Sequence, residues 1–131
     1  MSIKVFDGAM GTMLQAAGVA DKPCPEYACI ISPEAVESIH RAYVEAGADI
    51  IETNTFGGNP IKLAEFGLAE QTETINAAAV KIARRACNAD TRVAGSVGPL
   101  GKLIAPLRDL DLAEAVAPYE RQIRALAEAG A

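Results

Sequence analysis

Three short apolar runs punctuate the chain, and each leads directly into a glycine-rich polar turn. Ile3 to Phe6 precedes Asp7-Gly8-Ala9-Met10-Gly11, Asp49 to Ile51 precedes Glu52-Thr53-Asn54-Thr55-Phe56-Gly57-Gly58, and Arg92 to Ala94 precedes Gly95-Ser96-Val97-Gly98-Pro99. Runs this short, ended by turn residues, read as buried strands. Their starts lie 46 and then 43 residues apart, and helical periodicity fills the intervals. Val36, Ile39, Tyr43 and Val44 make one apolar stripe, opened by Ser32-Pro33-Glu34, with Ser32 as the capping oxygen, and closed by Gly47. Asn59-Pro60 opens a short helix that Gly67 closes, and Ile75, Ala78, Ala79, Ile82 and Ala86 mark a longer one running to about Cys87. Asp111 with Glu114 has capping-box spacing for a third long helix, with Val116, Ile123, Leu126 and Ala127 as its stripe. Pro118 interrupts that stripe, so this helix either begins near the proline or kinks at it.

Strands alternating with helices predict an α/β fold with a parallel sheet and right-handed crossovers. Three such strands leave an open apolar edge, which proteins normally cover or close. The sequence repeats itself in a way that bears on this: Arg41 to Ala48 is matched by the final eight residues, Arg124 to Ala131. After the first copy comes the strand Asp49 to Ile51, and after the second the chain stops. The expectation is a piece of a longer repeat protein, residues 1–131 forming one N-terminal portion cut before a fourth strand.

Composition narrows the class. Alanine fills 26 of 131 positions, so the apolar fraction of 50% is carried by small side chains that suit helices packed closely on a sheet rather than an aromatic sandwich. The net charge of -5, with no Lys/Arg run longer than Arg84-Arg85, lacks the electrostatic footprint of a nucleic-acid binder. No apolar stretch approaches the roughly 20 residues needed to span a bilayer. The opening Met1 to Asp7 is too short and acidic for a signal peptide, so a cytoplasmic protein with no membrane partner is expected. Cys24, Cys29 and Cys87 are odd in number and irregularly spaced, which fits neither a disulfide framework nor a zinc site.

In parallel α/β sheets chemistry gathers at the C-terminal ends of the strands, where all three glycine-rich turns fall. Asp7 places a carboxylate there to meet a cationic group, and Gly8 lets backbone approach a ligand; the plainer reading of Asp7 is a turn or cap. Glu52, Thr53, Asn54 and Thr55 follow an apolar strand directly, and alternation aims two of them toward the axis. They form either a site or a hydrogen-bonded polar layer closing the end of the sheet. Ser96, between Gly95 and Gly98, belongs to a site or to a tight turn. Neither Gly8-x-x-Gly11 nor Gly95-x-x-Gly98-x-x-Gly101-Lys102 has the spacing of a dinucleotide or P-loop motif. His40, the only histidine, lies beside an apolar helical stripe and reads as a packing residue.

The segments Asp7 to Thr12, Glu45 to Phe56 and Ala94 to Pro99 together resemble the homocysteine S-methyltransferase family, and within it the N-terminal homocysteine-binding barrel of the cobalamin-dependent methionine synthases. The resemblance covers essentially the whole chain. It implies the first three or so βα units of a (β/α)8 barrel (a TIM barrel) and an enzyme that transfers a methyl group to the thiolate of homocysteine, giving methionine. It also implies zinc, which three cysteines bind in that family; they belong to late strands, so the ligands are expected outside this segment. Carried over by position, Asp7 would bind the substrate ammonium, Gly8 would supply backbone contact, Asn54, Thr55 and Phe56 would shape the pocket, and Ser96 would neighbour it. The methyl donor stays open, with methylcobalamin, a folate-derived methyl, S-methylmethionine and betaine all used within the wider family.

The 131 residues alone are expected to be inactive. Alternatives are a non-catalytic fragment that binds a small zwitterion or assembles through its open edge, and a barrel enzyme acting on a pterin or phosphorylated substrate. The exposed strand edge predicts self-association. Size-exclusion chromatography should therefore show oligomers or aggregates, and a stable, cooperatively folding monomer would overturn that expectation.

Overall fold

A computed structural model describes residues 3–19, 23–102 and 110–131; Met1 and Ser2, the head of the stretch read as unlike a signal peptide, lie outside the described residues. The chain runs α1 (Gly11–Ala16), a 3-10 turn (Pro25–Tyr27), α2 (Ala28–Ile31), α3 (Pro33–Glu45), β1 (Ile50–Glu52), α4 (Pro60–Ala64), a second 3-10 turn (Ala69–Gln71), α5 (Thr72–Ala86), β2 (Arg92–Ala94) and α6 (Leu112–Ala129). β1 and β2 pair in parallel, with Ile50 opposite Arg92, Ile51 opposite Val93 and Glu52 opposite Ala94. The architecture is α/β, as the alternation implies.

Of the three predicted strands, the first forms a single parallel bridge, Phe6 to Ile50, in place of a ladder. It lies beside β1 and bonds to it: Asp7 N donates to Ile50 O at 2.9 Å, and Asp49 N donates to Val5 O at 2.9 Å. Val5 N, however, donates to the Asp49 side chain at 2.9 Å, so a carboxylate takes the place of the next ladder carbonyl. The segment is also uncovered on both faces, leaving Ile3 88%, Val5 54% and Phe6 50% exposed.

The helix signals mostly act as read. Asn59 caps α4 by accepting from Lys62 N at 2.9 Å, with Pro60 in the first turn. Gly47 turns the chain out of α3 with φ +101°, a conformation that favours glycine. Ser32 occupies the N-cap of α3 without a side-chain cap bond, its carbonyl accepting from Ala35 N instead, so the expected capping oxygen is not used. In α6 the Asp111–Glu114 capping box is complete, and the helix starts at Leu112 and runs through Pro118. The proline therefore does not mark its beginning.

The predicted stripe of α6 divides. Leu126 is buried, together with Ala115, Gln122 and Ala125, where the helix packs on α5, while Val116 and Ile123 stand 55% and 51% exposed beside Leu112. No described element covers that second face. The sequence repeat has a structural counterpart, since Glu37–Arg41 on α3 and Glu120–Arg124 on α6 are equivalent ion pairs, each at 2.6 Å.

The core is built between helices and strands in three clusters, centred on Leu14, Val36, Ala79 and Ile82, on Leu63 and Ile75, and on Ile51 and Ala83. His40 is fully buried on α3, and neither ring nitrogen has a partner among the described residues. Burial drives its pKa down to about 4 from the ordinary 6.5, against a smaller upward pull from Glu37. The unfolded chain takes a proton on this histidine below about pH 6.5, and the folded chain refuses it until about pH 4. Stability should be fully present above pH 6.5 and fall by about 3 kcal/mol on acidification to pH 4. Urea unfolding between pH 6.5 and 5 should show this slope, and His40→Leu should flatten it.

Candidate functional site

At the C-terminal ends of the first run, β1 and β2, the turns enclose a cavity of about 370 Å³. Asp7, Gly8, Asn54, Thr55, Phe56 and Ser96, the six residues singled out in the sequence, all line it, together with Glu26, Glu52 and Thr53. A hollow of about 480 Å³ between α5 and α6 and one of about 520 Å³ on the outer face of α6 are larger. Both lie on the outside of the helices, and neither is lined by a residue of these turns.

Asp7 follows the first run, and its two carboxylate oxygens both accept from Glu52 N at 3.1 Å. Partial burial raises its pKa; the Glu52 N–H bond opposes the rise and the Glu52 charge adds to it. A cation placed at this carboxylate would relieve that penalty. The Cβ direction of Gly8 is filled by protein, because a side chain there would meet the Tyr43 hydroxyl at 2.9 Å. That hydroxyl donates to Ala9 O at 2.8 Å and fixes the turn after Asp7.

Alternation along the polar run after β1 separates two functions. Thr53 and Thr55 point the same way, with their hydroxyl oxygens 2.6 Å apart. Ser96 N donates to Thr53 Oγ1 at 3.0 Å, and Thr55 Oγ1 donates to Ser96 O at 2.8 Å, which ties the β1 turn to the β2 turn. Behind them Gln122 of α6 donates to Thr55 O at 2.7 Å, and Asn76 of α5 donates to Gly58 O at 2.8 Å. These bonds form a polar layer that closes the end of the sheet. Glu52 lies on the other side of the run and accepts from Ser96 Oγ at 3.1 Å. Asn54 is turned toward the Pro25–Tyr27 turn and donates to Pro25 O at 2.7 Å. Phe56 is 62% exposed and accepts from Gly98 N at 2.9 Å.

Sequence reasoning passed over Glu26, Asn76 and Gln122. Glu26 lies between the regular elements, where no periodicity points to it, and the two amides sit on helices whose polar positions read as surface. Their burial, 0% exposure for Asn76 and Gln122 and 8% for Glu26, exists only in the folded chain.

Cys24 and Cys29 are free and buried, their pKa values pushed up to about 11 and about 12, chiefly by burial. They are thiols at neutral pH. Among the described residues no group of three His, Cys, Asp or Glu side chains could hold a metal ion, so these residues do not fit the zinc of the resemblance. No helix among the described residues is long and apolar enough to cross a membrane.

Residues 4–131 match the family model for homocysteine S-methyltransferase, and the chain belongs to that family. It is 40% identical over 113 residues to a methionine synthase of Mycobacterium tuberculosis (strain ATCC 25618 / H37Rv), covering 77% of this chain and 10% of that protein. A methionine synthase of Mycobacterium leprae (strain TN) matches at 39% identity over 113 residues, with 77% and 9% covered. Among solved structures, the metallated form of the homocysteine methyltransferase MmuM from Escherichia coli superposes with a TM-score of 0.84 at 31% identity, covering 100% of this chain and 52% of that one. Its oxidized form gives 0.82 at 31% identity, with 98% and 50% covered. The chain therefore spans about a tenth of these methionine synthases and about half of the solved methyltransferase.

Thr55→Val tests the polar layer. It removes a fully buried hydroxyl and leaves Thr53 Oγ1 and Ser96 O short of a partner. Unfolding free energy should fall by about 1–3 kcal/mol in urea titration.

Proposed function

We propose that this chain forms the substrate-binding N-terminal part of a cytosolic homocysteine S-methyltransferase of the methionine synthase type, whose completed (β/α)8 barrel methylates the thiolate of homocysteine. The observation that carries the reading is the convergence of Asp7 with Asn54, Thr55, Phe56 and Ser96 on one rim cavity whose ionisable described residues, Asp7, Glu26 and Glu52, are all carboxylates. Such a cavity attracts an ammonium group and repels a phosphate, which favours an amino acid over a phosphorylated substrate.

In this reading Asp7 binds the ammonium of homocysteine, held in place by the Glu52 amide, while Gly8 offers backbone contact beside it. Asn54 and Thr55 shape the floor and Phe56 an apolar wall for the side chain. Zinc, which the resemblance implies as activator of the substrate sulfur, would be held by residues outside this segment. The methyl donor, methylcobalamin or another, is likewise met elsewhere, so the 131 residues alone are inactive. The uncovered face of α6 and the exposed Ile3, Val5 and Phe6 are the two flanks against which the remaining βα units would pack.

A second reading, a non-catalytic binding or assembly fragment, draws on the same exposed apolar flanks, Ile3, Val5 and Phe6 on one side and Leu112, Val116 and Ile123 on the other. Intact mass, zinc content and methyl transfer measured on the natural gene product separate the two. A mass above about 30 kDa, as a complete barrel requires, with bound zinc and methionine formation supports the enzyme. A product near 13.6 kDa that binds homocysteine without turnover supports the fragment. Asp7→Asn keeps an acceptor for Glu52 N but removes the charge, so homocysteine affinity should fall roughly tenfold to a hundredfold by calorimetry. Because the pKa of Asp7 is raised, wild-type binding should weaken on acidification at a higher pH than an ordinary aspartate would give.

A further inference from the structure

We propose that Glu26 is a positioning residue of this pocket, holding the Phe56 wall in place through the Gly57 amide. The identity of the ligand rests on the homocysteine reading above; the rest stands on geometry. Glu26 lies in the Pro25–Tyr27 turn, is 8% exposed and lines the rim cavity. Its Oε1 accepts the Gly57 N–H at 2.7 Å. Gly57 is not among the glycines with positive φ, so its backbone conformation does not demand glycine. The contact is set by space instead: a Cβ on Gly57 would stand 2.8 Å from that same Oε1, and the carboxylate would have to swing off the amide to admit it. The carboxylate and the glycine work as one contact.

The turn also grips the chain before Phe56. Asn54 Nδ2 donates to Pro25 O at 2.7 Å, and Cys29 Sγ lies 3.9 Å from Asn54 O. Phe56 thus sits between two attachments to one turn, while its carbonyl is fixed on the far side by Gly98 N. A Cβ on Gly98 would meet the Phe56 ring at 2.9 Å, so the ring is packed on that glycine. Without the Glu26 bond, this turn holds Phe56 from the Asn54 side alone. A charged acceptor suits the task, because its hydrogen bond to a backbone amide is shorter and stronger than a neutral one.

The test uses the natural gene product, homocysteine as the calorimetric probe, and hydrogen–deuterium exchange of the peptide containing Gly57. Glu26→Met should accelerate that exchange and weaken homocysteine binding about tenfold. Glu26→Gln, which retains an acceptor without the charge, should restore exchange and bring affinity back to within about threefold of wild type. Gly57→Ala, which crowds the carboxylate, should weaken binding as Glu26→Met does, and the double variant should be no worse than either single one. If Glu26→Met fails to fold, Gly57→Ala and Glu26→Gln still decide the matter. Unchanged exchange and affinity in Glu26→Met or Gly57→Ala would overturn the proposal. So would a Glu26→Gln variant that binds as poorly as Glu26→Met while Gly57 stays protected, since the charge and not the bond would then act. A wild-type protein that ignores homocysteine would defeat the functional reading instead, with Gly57 exchange still deciding whether Glu26 holds the wall.

Discussion

The pairing of the Thr53 and Thr55 hydroxyls, and their bonds to both main-chain groups of Ser96, is the constraint on which the rest of the structure depends. β1 and β2 are three residues each, too short to hold their turns by ladder bonds alone. The two threonines extend the association past the last paired residue using side chains. On one side of this layer lies the cavity with Asp7 and Glu52; on the other, Gln122 and Asn76 bring in α6 and α5. The rim is therefore shaped by the outer helices as well as by the strands.

Close packing of this kind explains the glycines of the rim. A Cβ on Gly8 would strike Tyr43, on Gly57 Glu26, on Gly58 the amides of Asn76 and Gln122, and on Gly98 Phe56. None of the four has a positive φ, so they are glycines because neighbours come close. The same density leaves a few polar atoms stranded. Gln122 Oε1 is buried without a partner among the described residues even though its Nε2 is well used, and both nitrogens of His40 are in the same position. Each such group costs stability, so these helices carry a penalty for keeping polar side chains inside.

The distribution of apolar exposure follows the architecture. Between the first run and α6 the large apolar side chains are mostly packed away, whereas both flanks present them to solvent: Ile3 and Val5 on one, Leu112, Val116 and Ile123 on the other. The repeat makes the asymmetry plain. His40 on α3 is fully buried, and Ile123, its counterpart on α6 in the register that aligns Arg41 with Arg124, is 51% exposed. α3 packs against α1, α2, α5 and β1, whereas α6 packs chiefly on α5 and α4.

Much of this was legible in the chain itself. Periodicity located α3, α5 and α6 and the two paired strands, and local chemistry at Asn59 and at Asp111 with Glu114 set helix starts, because those signals act over a few neighbouring residues. That Asp7, Gly8 and Ser96 lie on one rim with the polar run after β1 was legible because strand ends in a parallel sheet lie side by side, whereas Phe56 was added by the family resemblance alone. The broken pairing at Val5, the division of the α6 stripe, and the burial of Glu26, Asn76 and Gln122 were not legible. Each depends on partners 18 to 67 residues away or on which neighbours cover a face. The sequence by itself determined which segments become helix or strand and which turns carry polar groups. Only the tertiary structure decided which polar side chains leave water, because burial and long-range hydrogen bonding are properties of packed surfaces that no local stretch of chain possesses alone.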